Sequence, residues 1–156
     1  MILDERTEFC DATLLNTGAA GTYNLGDVID LGTVSPSREL GGDMALYLVV
    51  TVDTGITAGS AGTIAFQLVS DAQDPFLVNG TQTVHAVSAA RATSTTAIPA
   101  GTALFIIQLP LEGAVYERYL GIQQITGTAA ITAGRINAFL TEDVARWKAY
   151  DSPSQA

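Results

Sequence analysis

The sequence predicts a single all-β domain, a sandwich or barrel of about eight strands. Short runs rich in β-branched and aromatic residues recur along the chain and are bounded by Gly, Asn, Asp, Ser and Pro. Helical periodicity is almost absent from the middle of the chain. The length of 156 residues fits one domain with a sizeable core.

Seven runs have the composition and alternation of strands, and the clearest core face belongs to the third of them. There, Ile64, Phe66 and Leu68 alternate with more polar residues, so we expect these three side chains to point into the core. The predicted strands cover residues 28–31, 44–52, 63–70, 84–88, 102–109, 119–126 and 131–140.

Two short connectors predict hairpins. Residues 127–130 join two alternating runs whose apolar sets, Leu120 with Ile122 and Ile136 with Ala138 and Leu140, match. Arg135 and Asn137 then point away from the core. Residues 54–62, rich in Gly, Ser and Thr, are expected to form an exposed hairpin loop.

The two ends differ from the middle, and we divide the chain into residues 1–26, 27–141 and 142–156. The first part mixes charge with small residues and predicts an extended N-terminal arm with little structure of its own, so that deleting residues 1–20 should leave the fold intact. The second part is the β-sandwich. In the last part, a capping Thr141, acids in the first turn and bases in the last predict a short C-terminal helix that ends before Pro153.

Composition excludes several classes of function. A net charge of -9 with seven scattered Lys and Arg residues disfavours nucleic-acid binding, which needs clustered cations. The longest apolar stretches fall far short of the ~20 residues that a membrane-spanning helix requires, and the acidic N-terminal sequence predicts no export from the cytosol. Cys10 is the only cysteine, which leaves no intrachain disulfide or cysteine-based zinc site and favours a buried thiol.

Signals of catalysis are weak throughout. His85 is the only histidine and lies in a predicted strand. The carboxylate pairs Asp71 with Asp74 and Asp27 with Asp30 have the setting of turn formers, and the calcium and nucleotide loop motifs are missing. We therefore predict no enzyme, no cofactor, and no catalytic or metal-binding residue.

Arg118 lies between Tyr116 and Tyr119 at the entrance of a predicted strand. It could bind an anionic ligand, or it could stack on a ring and pair with a neighbouring carboxylate. The second interpretation is favoured, because no second basic residue is nearby.

Three stretches, taken in order, resemble a known family. They are Asp30-Leu31-Gly32, the strand Met44 to Val52, and Leu109-Pro110 followed by Arg118 to Ile122, with Thr126-Gly127-Thr128 leading into Ala133 to Leu140. Over about residues 28–140 the chain resembles the jelly-roll cement, or decoration, proteins on the heads of tailed double-stranded-DNA bacteriophages. Where the pattern of that family has a second basic residue, this chain has Gly121.

The resemblance implies a jelly-roll sandwich that forms a homo-oligomer, a dimer or trimer, on the outer surface of a capsid. The partner implied is the major capsid protein of an HK97-like head, whose neighbouring subunits the oligomer ties together. The implied location is therefore the virion, after assembly in the host cytoplasm, with no catalysis, nucleic-acid or membrane partner.

Within this interpretation, the interface is expected where apolar anchors are flanked by charge. For Trp147, packing on its own domain is an equal alternative. The expected interface residues are Leu3, Arg6 and Phe9 in the arm, Arg118 and Tyr119 at the strand entrance, and Arg146, Trp147 and Lys148 in the terminal helix.

Two other functions remain open from the sequence. A non-catalytic jelly-roll module for carbohydrate binding or host-surface adhesion could stack sugars on Tyr47, Tyr116, Tyr119 or Trp147. A cupin-like enzyme would need several histidines around a metal ion, and this chain has one.

Overall fold

The computed structural model describes residues 5–32, 45–59, 61–93 and 96–144. One turn of 3₁₀ helix, Glu5–Thr7, precedes the first strand. The strands are β1 Glu8–Leu14, β2 Gly21–Asp30, β3 Tyr47–Ala58, β4 Thr63–Asp71, β5 Thr83–Val87, β6 Arg91–Ala92, β7 Ala103–Gln108, β8 Tyr119–Gly127 and β9 Ile131–Thr141.

The strands form two antiparallel sheets in a sandwich-like arrangement, which confirms the all-β prediction. Sheet A has the order β1-β9-β3-β7. Sheet B has the order β2-β8-β4-β5, and the short β6 also pairs with β4. β1 and β2 lie against each other across the sandwich, so β7 and β5 are the last strands at the other end of each order.

One hydrophobic core fills the space between the sheets. Sheet A contributes Leu48 and Ile136, and sheet B contributes Phe66 and Ile122, all at most 1% exposed. The predicted core face of β4 is confirmed, since Ile64, Phe66 and Leu68 all belong to this core. Strand alternation places these side chains on the inner face of each sheet.

Neither predicted hairpin forms. β3 and β4 lie in different sheets, and so do β8 and β9, so both connectors cross from one sheet to the other. β3 also continues to Ala58, so the connector between β3 and β4 is shorter than the predicted residues 54–62. Alternation reports only that both strands face the same core, and a sheet-to-sheet crossing satisfies this condition as well as a hairpin does.

The predicted N-terminal arm is wrong for the described residues 5–26. β1 pairs with β9, and β2 pairs with β8. Phe9 and Cys10 are 1% exposed within the core, and Leu25 is 6% exposed. Deleting residues 1–20 would therefore remove a whole strand and part of the core.

β-bulges explain why β1 and most of β2 could not be predicted from alternation in the sequence. β1 has register shifts on both sides of Cys10, and β2 has one between Leu25 and Ile29. The two shifts in β1 add one residue each and the shift in β2 adds two, and these extra residues interrupt the period of two by which a strand is recognised. At the bulge in β1, Ala12 adopts a φ of 45° and donates its amide N–H to Asn137 Oδ1 (2.6 Å).

The outward direction of Arg135 and Asn137 is confirmed. Both point away from the core towards the β1 bulge, where Arg135 Nη1 donates to the Ala12 carbonyl oxygen (3.1 Å). The two polar side chains thus hold the irregular edge strand in place.

Most of the predicted C-terminal helix, residues 145–156, lies outside the described residues. Residues 142–144 contain no α-helical turn, and the helix prediction receives no support. Thr141 Oγ1 accepts a hydrogen bond from the amide of Asp143 (3.2 Å). No helix in the described part of the chain has the length and hydropathy to cross a bilayer.

Candidate functional site

A polar cluster lies where β4 ends and β8 begins. We call it the Ser70–His85 cluster, and it consists of Ser70, Asp71, His85, Tyr116 and Glu117. Ser70 Oγ lies 2.7 Å from His85 Nε2 and accepts a hydrogen bond from the amide of Glu117 (3.0 Å). Three parts of the chain therefore meet at one hydroxyl group.

A bulge brings His85 to this position. The β4–β5 pairing runs from Leu68↔Ala86 directly to Val69↔Val84, so His85 is the extra residue on β5. The bulge turns its imidazole towards Ser70 at the end of β4. The expectation of an ordinary strand histidine with local polar contacts is correct in its contacts and misses the bulge.

The imidazole also stacks on Tyr116, with ring centroids 3.9 Å apart and planes inclined by 15°. Burial lowers the pKa of His85 from its usual 6.5, which favours the neutral form of the ring. Burial raises the pKa of Tyr116 to about 12. The stack thus joins two uncharged rings, one from β5 and one from the segment before β8.

Two carboxylates lie beside this stack in different environments. Asp71 accepts hydrogen bonds from the amide of Gln73 (3.0 Å) and from Thr81 Oγ1 (2.8 Å), which fixes the loop after β4. Burial, followed by the negative charge of Asp71, raises the pKa of Glu117. Within the described residues, Glu117 Oε2 and the Tyr116 hydroxyl are buried and have no hydrogen-bond partner.

The serine–histidine pair does not have the accessibility of a nucleophile. Ser70 is 0% exposed, and its hydroxyl is already engaged by His85 and the Glu117 amide. A substrate must reach the attacking oxygen, and a third group normally orients the base. In this geometry the pair holds the segment before β8 against the end of β4.

No group of three His, Cys, Asp or Glu side chains in the described ranges is arranged as metal ligands. Cys10 is buried in the core, as expected, and burial raises the pKa of its thiol to about 12. A shallow depression of about 320 Å³ is lined by residues 108–112, and Glu112 is its one ionisable side chain.

Arg118 forms a bidentate salt bridge with Asp30. Its Nε and Nη2 atoms each donate to one carboxylate oxygen at 2.9 Å, and its guanidinium lies 4.9 Å from the centre of the Tyr119 ring. The Asp30 hydrogen bond raises the pKa of Arg118. The favoured interpretation of Arg118 is thus confirmed: it stacks on a ring and pairs with a carboxylate at the strand entrance.

This salt bridge joins two of the stretches on which the family resemblance depends. Asp30-Leu31-Gly32 contacts the strand entrance through the side chain of Asp30 and through the Leu31 amide, which donates to the Arg118 carbonyl (2.8 Å). Asp30 Oδ1 also accepts from the Gly32 amide (2.8 Å). Side chain and backbone together fix the end of β2 to the start of β8.

The packing around position 121 explains why this residue is a glycine. A Cβ atom at this position would lie 3.0 Å from two ring carbons of Phe76. Such a contact is tighter than ordinary packing, so Phe76 takes the space that a longer side chain at position 121 would need.

The predicted interface residues have different fates. Phe9 lies in the core, so its assignment to an exposed interface is wrong for this conformation. Arg6 is exposed before β1, and Arg118 and Tyr119 lie together at the strand entrance. The remaining four, Leu3, Arg146, Trp147 and Lys148, are outside the described residues.

Sequence reasoning missed a set of exposed aliphatic side chains in the loop after β4, at the start of β5 and in the segment before β8, which we call the apolar rim. Val115 is 83% exposed and Leu111 is 64% exposed in the segment before β8. A visible signal existed, since both lie among Pro, Gly and Glu rather than in an alternating run. The rim consists of Leu77, Val78, Val84, Leu111 and Val115.

Comparison with protein families matches residues 9–140 to the family Bbp16. The chain belongs to the Bbp16 family. The matched range of this Bbp16 chain begins in β1 and ends in β9, so it includes both sheets and the Ser70–His85 cluster. A search of curated proteins finds no match to the chain.

Proposed function

We propose that this Bbp16-family chain is a structural virion protein that binds the outer surface of a phage capsid and cements neighbouring major-capsid subunits. The observation that carries the proposal is the strand order. Sheet A runs β1-β9-β3-β7 and sheet B runs β2-β8-β4-β5, which is the order of a two-sheet jelly roll with β6 added. This strand order supports the jelly-roll fold that the resemblance to phage cement proteins implies.

The Ser70–His85 cluster supports a role as scaffold rather than as catalyst. Its hydrogen bonds and the Asp30–Arg118 salt bridge fix the end of the segment before β8, and the Leu109 amide, which donates to the Leu46 carbonyl (2.8 Å), fixes the start of the segment. That segment carries Leu111 and Val115, the two most exposed aliphatic side chains of the rim. A fixed loop presents apolar anchors at a smaller entropic cost than a mobile loop.

The mechanism we propose is multivalent binding. Each apolar rim contributes a modest contact to a major-capsid subunit, and a homo-oligomer joins several such contacts. The partners are the major capsid protein of an HK97-like head and further copies of this chain. The location is the outer capsid surface, after assembly in the host cytoplasm, and the role involves no catalysis or cofactor.

No observation favours the alternative of a carbohydrate or host-surface adhesion module. One face of Tyr116 is covered by His85, and Tyr119 lies beneath Arg118. Tyr47 lies in β3 of sheet A, whereas Tyr116 precedes β8 and Tyr119 lies in β8 of sheet B. These three tyrosines therefore offer no shared stacking platform.

The test is co-sedimentation of the purified protein with phage heads stripped of it, followed by counting bound copies per major-capsid subunit. We expect saturation at a fixed ratio. Val115→Asp should weaken binding, because it places a charge on the most exposed rim residue. Leu14→Asp is the matched control, since Leu14 is 63% exposed on β1 and lies outside the rim.

Absence of binding by the folded wild-type protein would overturn the proposal. Equal binding by the wild type and Val115→Asp would keep the capsid role and remove the rim from its interface.

A further inference from the structure

The loop between β4 and β5 contains the one Asn-Gly pair of the chain, Asn79-Gly80, and both residues are exposed. The backbone nitrogen of the residue after an asparagine can attack the side-chain amide carbon, because the two atoms close a five-membered ring. A side chain on that following residue crowds the nitrogen, and glycine has none. The other asparagines, Asn16, Asn24 and Asn137, precede Thr, Leu and Ala. Asn79 is therefore the asparagine best placed for this reaction.

Gly80 also leaves its nitrogen open within the fold. It has a φ of +88°, and apart from its chain neighbours no atom of the described residues lies within 4 Å of the position that a Cβ would take. The side-chain nitrogen of Asn79, which leaves in the reaction, donates to Gln73 Oε1 at 3.3 Å. This distance is longer than that of a strong hydrogen bond, so the leaving group is only weakly restrained.

Thr81 favours the reaction from both its backbone and its side chain. Its amide N–H donates to Asn79 Oδ1 (3.0 Å), and its hydroxyl lies 2.6 Å from the same oxygen. Negative charge develops on this oxygen when the Gly80 nitrogen adds to Cγ, and donors already aimed at it stabilise that charge. The Thr81 hydroxyl is also 2.8 Å from Asp71 Oδ2, so its hydrogen is shared between two acceptors.

Gln82 opposes the reaction. The amide N–H of Gly80 donates to Gln82 Oε1 (3.1 Å). The nitrogen must give up this proton to attack, so the hydrogen bond stabilises the unreactive form. Gln82 Nε2 is buried without a partner among the described residues. The side chain thus holds the Gly80 amide while its own nitrogen stays unsatisfied.

We propose that Asn79-Gly80 is a self-modification site, at which Asn79 converts to aspartate or isoaspartate, and that Thr81 promotes and Gln82 restrains the conversion. The Gly80 nitrogen forms a bond to Asn79 Cγ, and the Cγ–Nδ2 bond breaks. Nδ2 leaves as ammonia with the proton that the Gly80 nitrogen gives up. Water then opens the cyclic imide at either of its carbonyl carbons. The chain loses ammonia and gains water, and the reaction needs no oxidant or cofactor.

The product carries a new carboxylate beside the apolar rim. Leu77 and Val78, which directly precede Asn79, are 49% and 46% exposed. A charge next to these side chains raises the cost of removing water from them, so the modified loop should bind an apolar partner surface less well. This effect on capsid binding rests on the proposed function, whereas the reaction itself takes place in the free protein.

Two variants should change the rate in opposite directions. Thr81→Val keeps the shape and the backbone N–H but removes the hydroxyl donor, so it should slow the conversion by about threefold to tenfold. Gln82→Leu removes the acceptor that holds the Gly80 N–H, so it should speed the conversion by a similar factor. A general loosening of the loop would instead shift both rates in the same direction.

The measurement is incubation of the folded, full-length protein in mildly alkaline buffer. Peptide mapping by mass spectrometry locates the change, enzymatic methylation quantifies isoaspartate, and circular dichroism establishes that each variant is folded. Asn16, Asn24 and Asn137 are internal controls in the same chain.

Conversion at Asn79 ahead of the three control asparagines, slower in Thr81→Val and faster in Gln82→Leu, supports the inference. Asn79 that persists as long as the controls overturns it, and so do variant rates that are equal or change in the same direction. Because no capsid is present, failure here leaves the capsid-binding test undecided.

Discussion

The imidazole of His85 and the phenol ring of Tyr116 stack at 3.9 Å between centroids, although 30 residues of chain separate them. The contact links β5, the edge strand of sheet B, to the segment before β8, which carries Leu111 and Val115 of the apolar rim. His85 Nε2 also forms a hydrogen bond with the Ser70 hydroxyl, which in turn accepts a hydrogen bond from the amide of Glu117. The position of the segment before β8 therefore depends on a titratable side chain, that of His85.

Acidification should destabilise the protein through His85. Burial lowers the pKa of His85 in the folded state below 6.5, so the unfolded chain takes up the proton first as the pH falls. The stability that neutral His85 contributes is complete above pH 6.5 and declines as the pH falls towards the folded-state pKa. Urea unfolding at about pH 7.5 and about pH 5.5 measures this loss.

The control is His85→Gln, which keeps a polar group near Ser70 and cannot titrate. Glu117 acts in the opposite direction, because its raised pKa makes its charged form costly at higher pH. Tyr116 stays uncharged over this range and Asp71 is common to both proteins, so the difference between wild type and variant isolates His85. An identical pH dependence in the two proteins would contradict the prediction.

Phe9→Ala should reduce the free energy of unfolding by about 3–5 kcal/mol, because it leaves a cavity in the core. Phe9 is 1% exposed between the sheets. Leu14→Ala in the same strand should change it by no more than about 0.5 kcal/mol, since Leu14 is 63% exposed. Chemical denaturation of both variants measures the difference.

Similar small effects for these two variants would mean that β1 is an arm after all. A large effect at Phe9 alone would establish the strand as part of the core.

Gly26→Ala should destabilise the fold by at least about 2 kcal/mol. Gly26 has a φ of +62°, and a Cβ there would overlap the carbonyl oxygen of Phe9 and press on the Cys10 sulfur. Gly80→Ala is the matched control, because Gly80 has a φ of +88° with no neighbour near its Cβ position. Thermal unfolding of the pair separates the packing cost from the backbone cost.

If both variants lost the same stability, the close approach of β1 to the β2 bulge would have no energetic weight. A larger loss at Gly26 would show that the two bulges are packed against each other.

The strands with uninterrupted alternation could be predicted closely. The expected run 63–70 became β4 Thr63–Asp71, and the run 131–140 became β9 Ile131–Thr141. β1 and most of β2 could not be predicted, because bulges at Cys10 and after Leu25 break the alternation. A local pattern fails wherever pairing with a neighbour tolerates an extra residue.

In the candidate site, too, some features could be predicted from the sequence and others could not. The role of Arg118 as a paired, stacked residue followed from its neighbours in sequence, but its carboxylate partner Asp30 is 88 residues away. The partnership of His85 with Ser70 and Tyr116 had no local signal, because it depends on a bulge in β5 and on the path of a loop. The exposure of Leu111 and Val115 also had no local signal in the strand pattern, because it depends on whether another described segment packs over them.

By itself the sequence determined that this is an acidic all-β chain, which residues of its regularly alternating strands face the core, and where those strands begin and end. These properties follow from composition and from the two-residue period of a strand, which are local. The tertiary structure alone decided which sheet each strand joins, that both short connectors cross between sheets, and which distant side chains meet at the Ser70–His85 cluster. Hydrogen-bond pairing between strands is non-local, and alternation is the same whichever neighbour a strand selects.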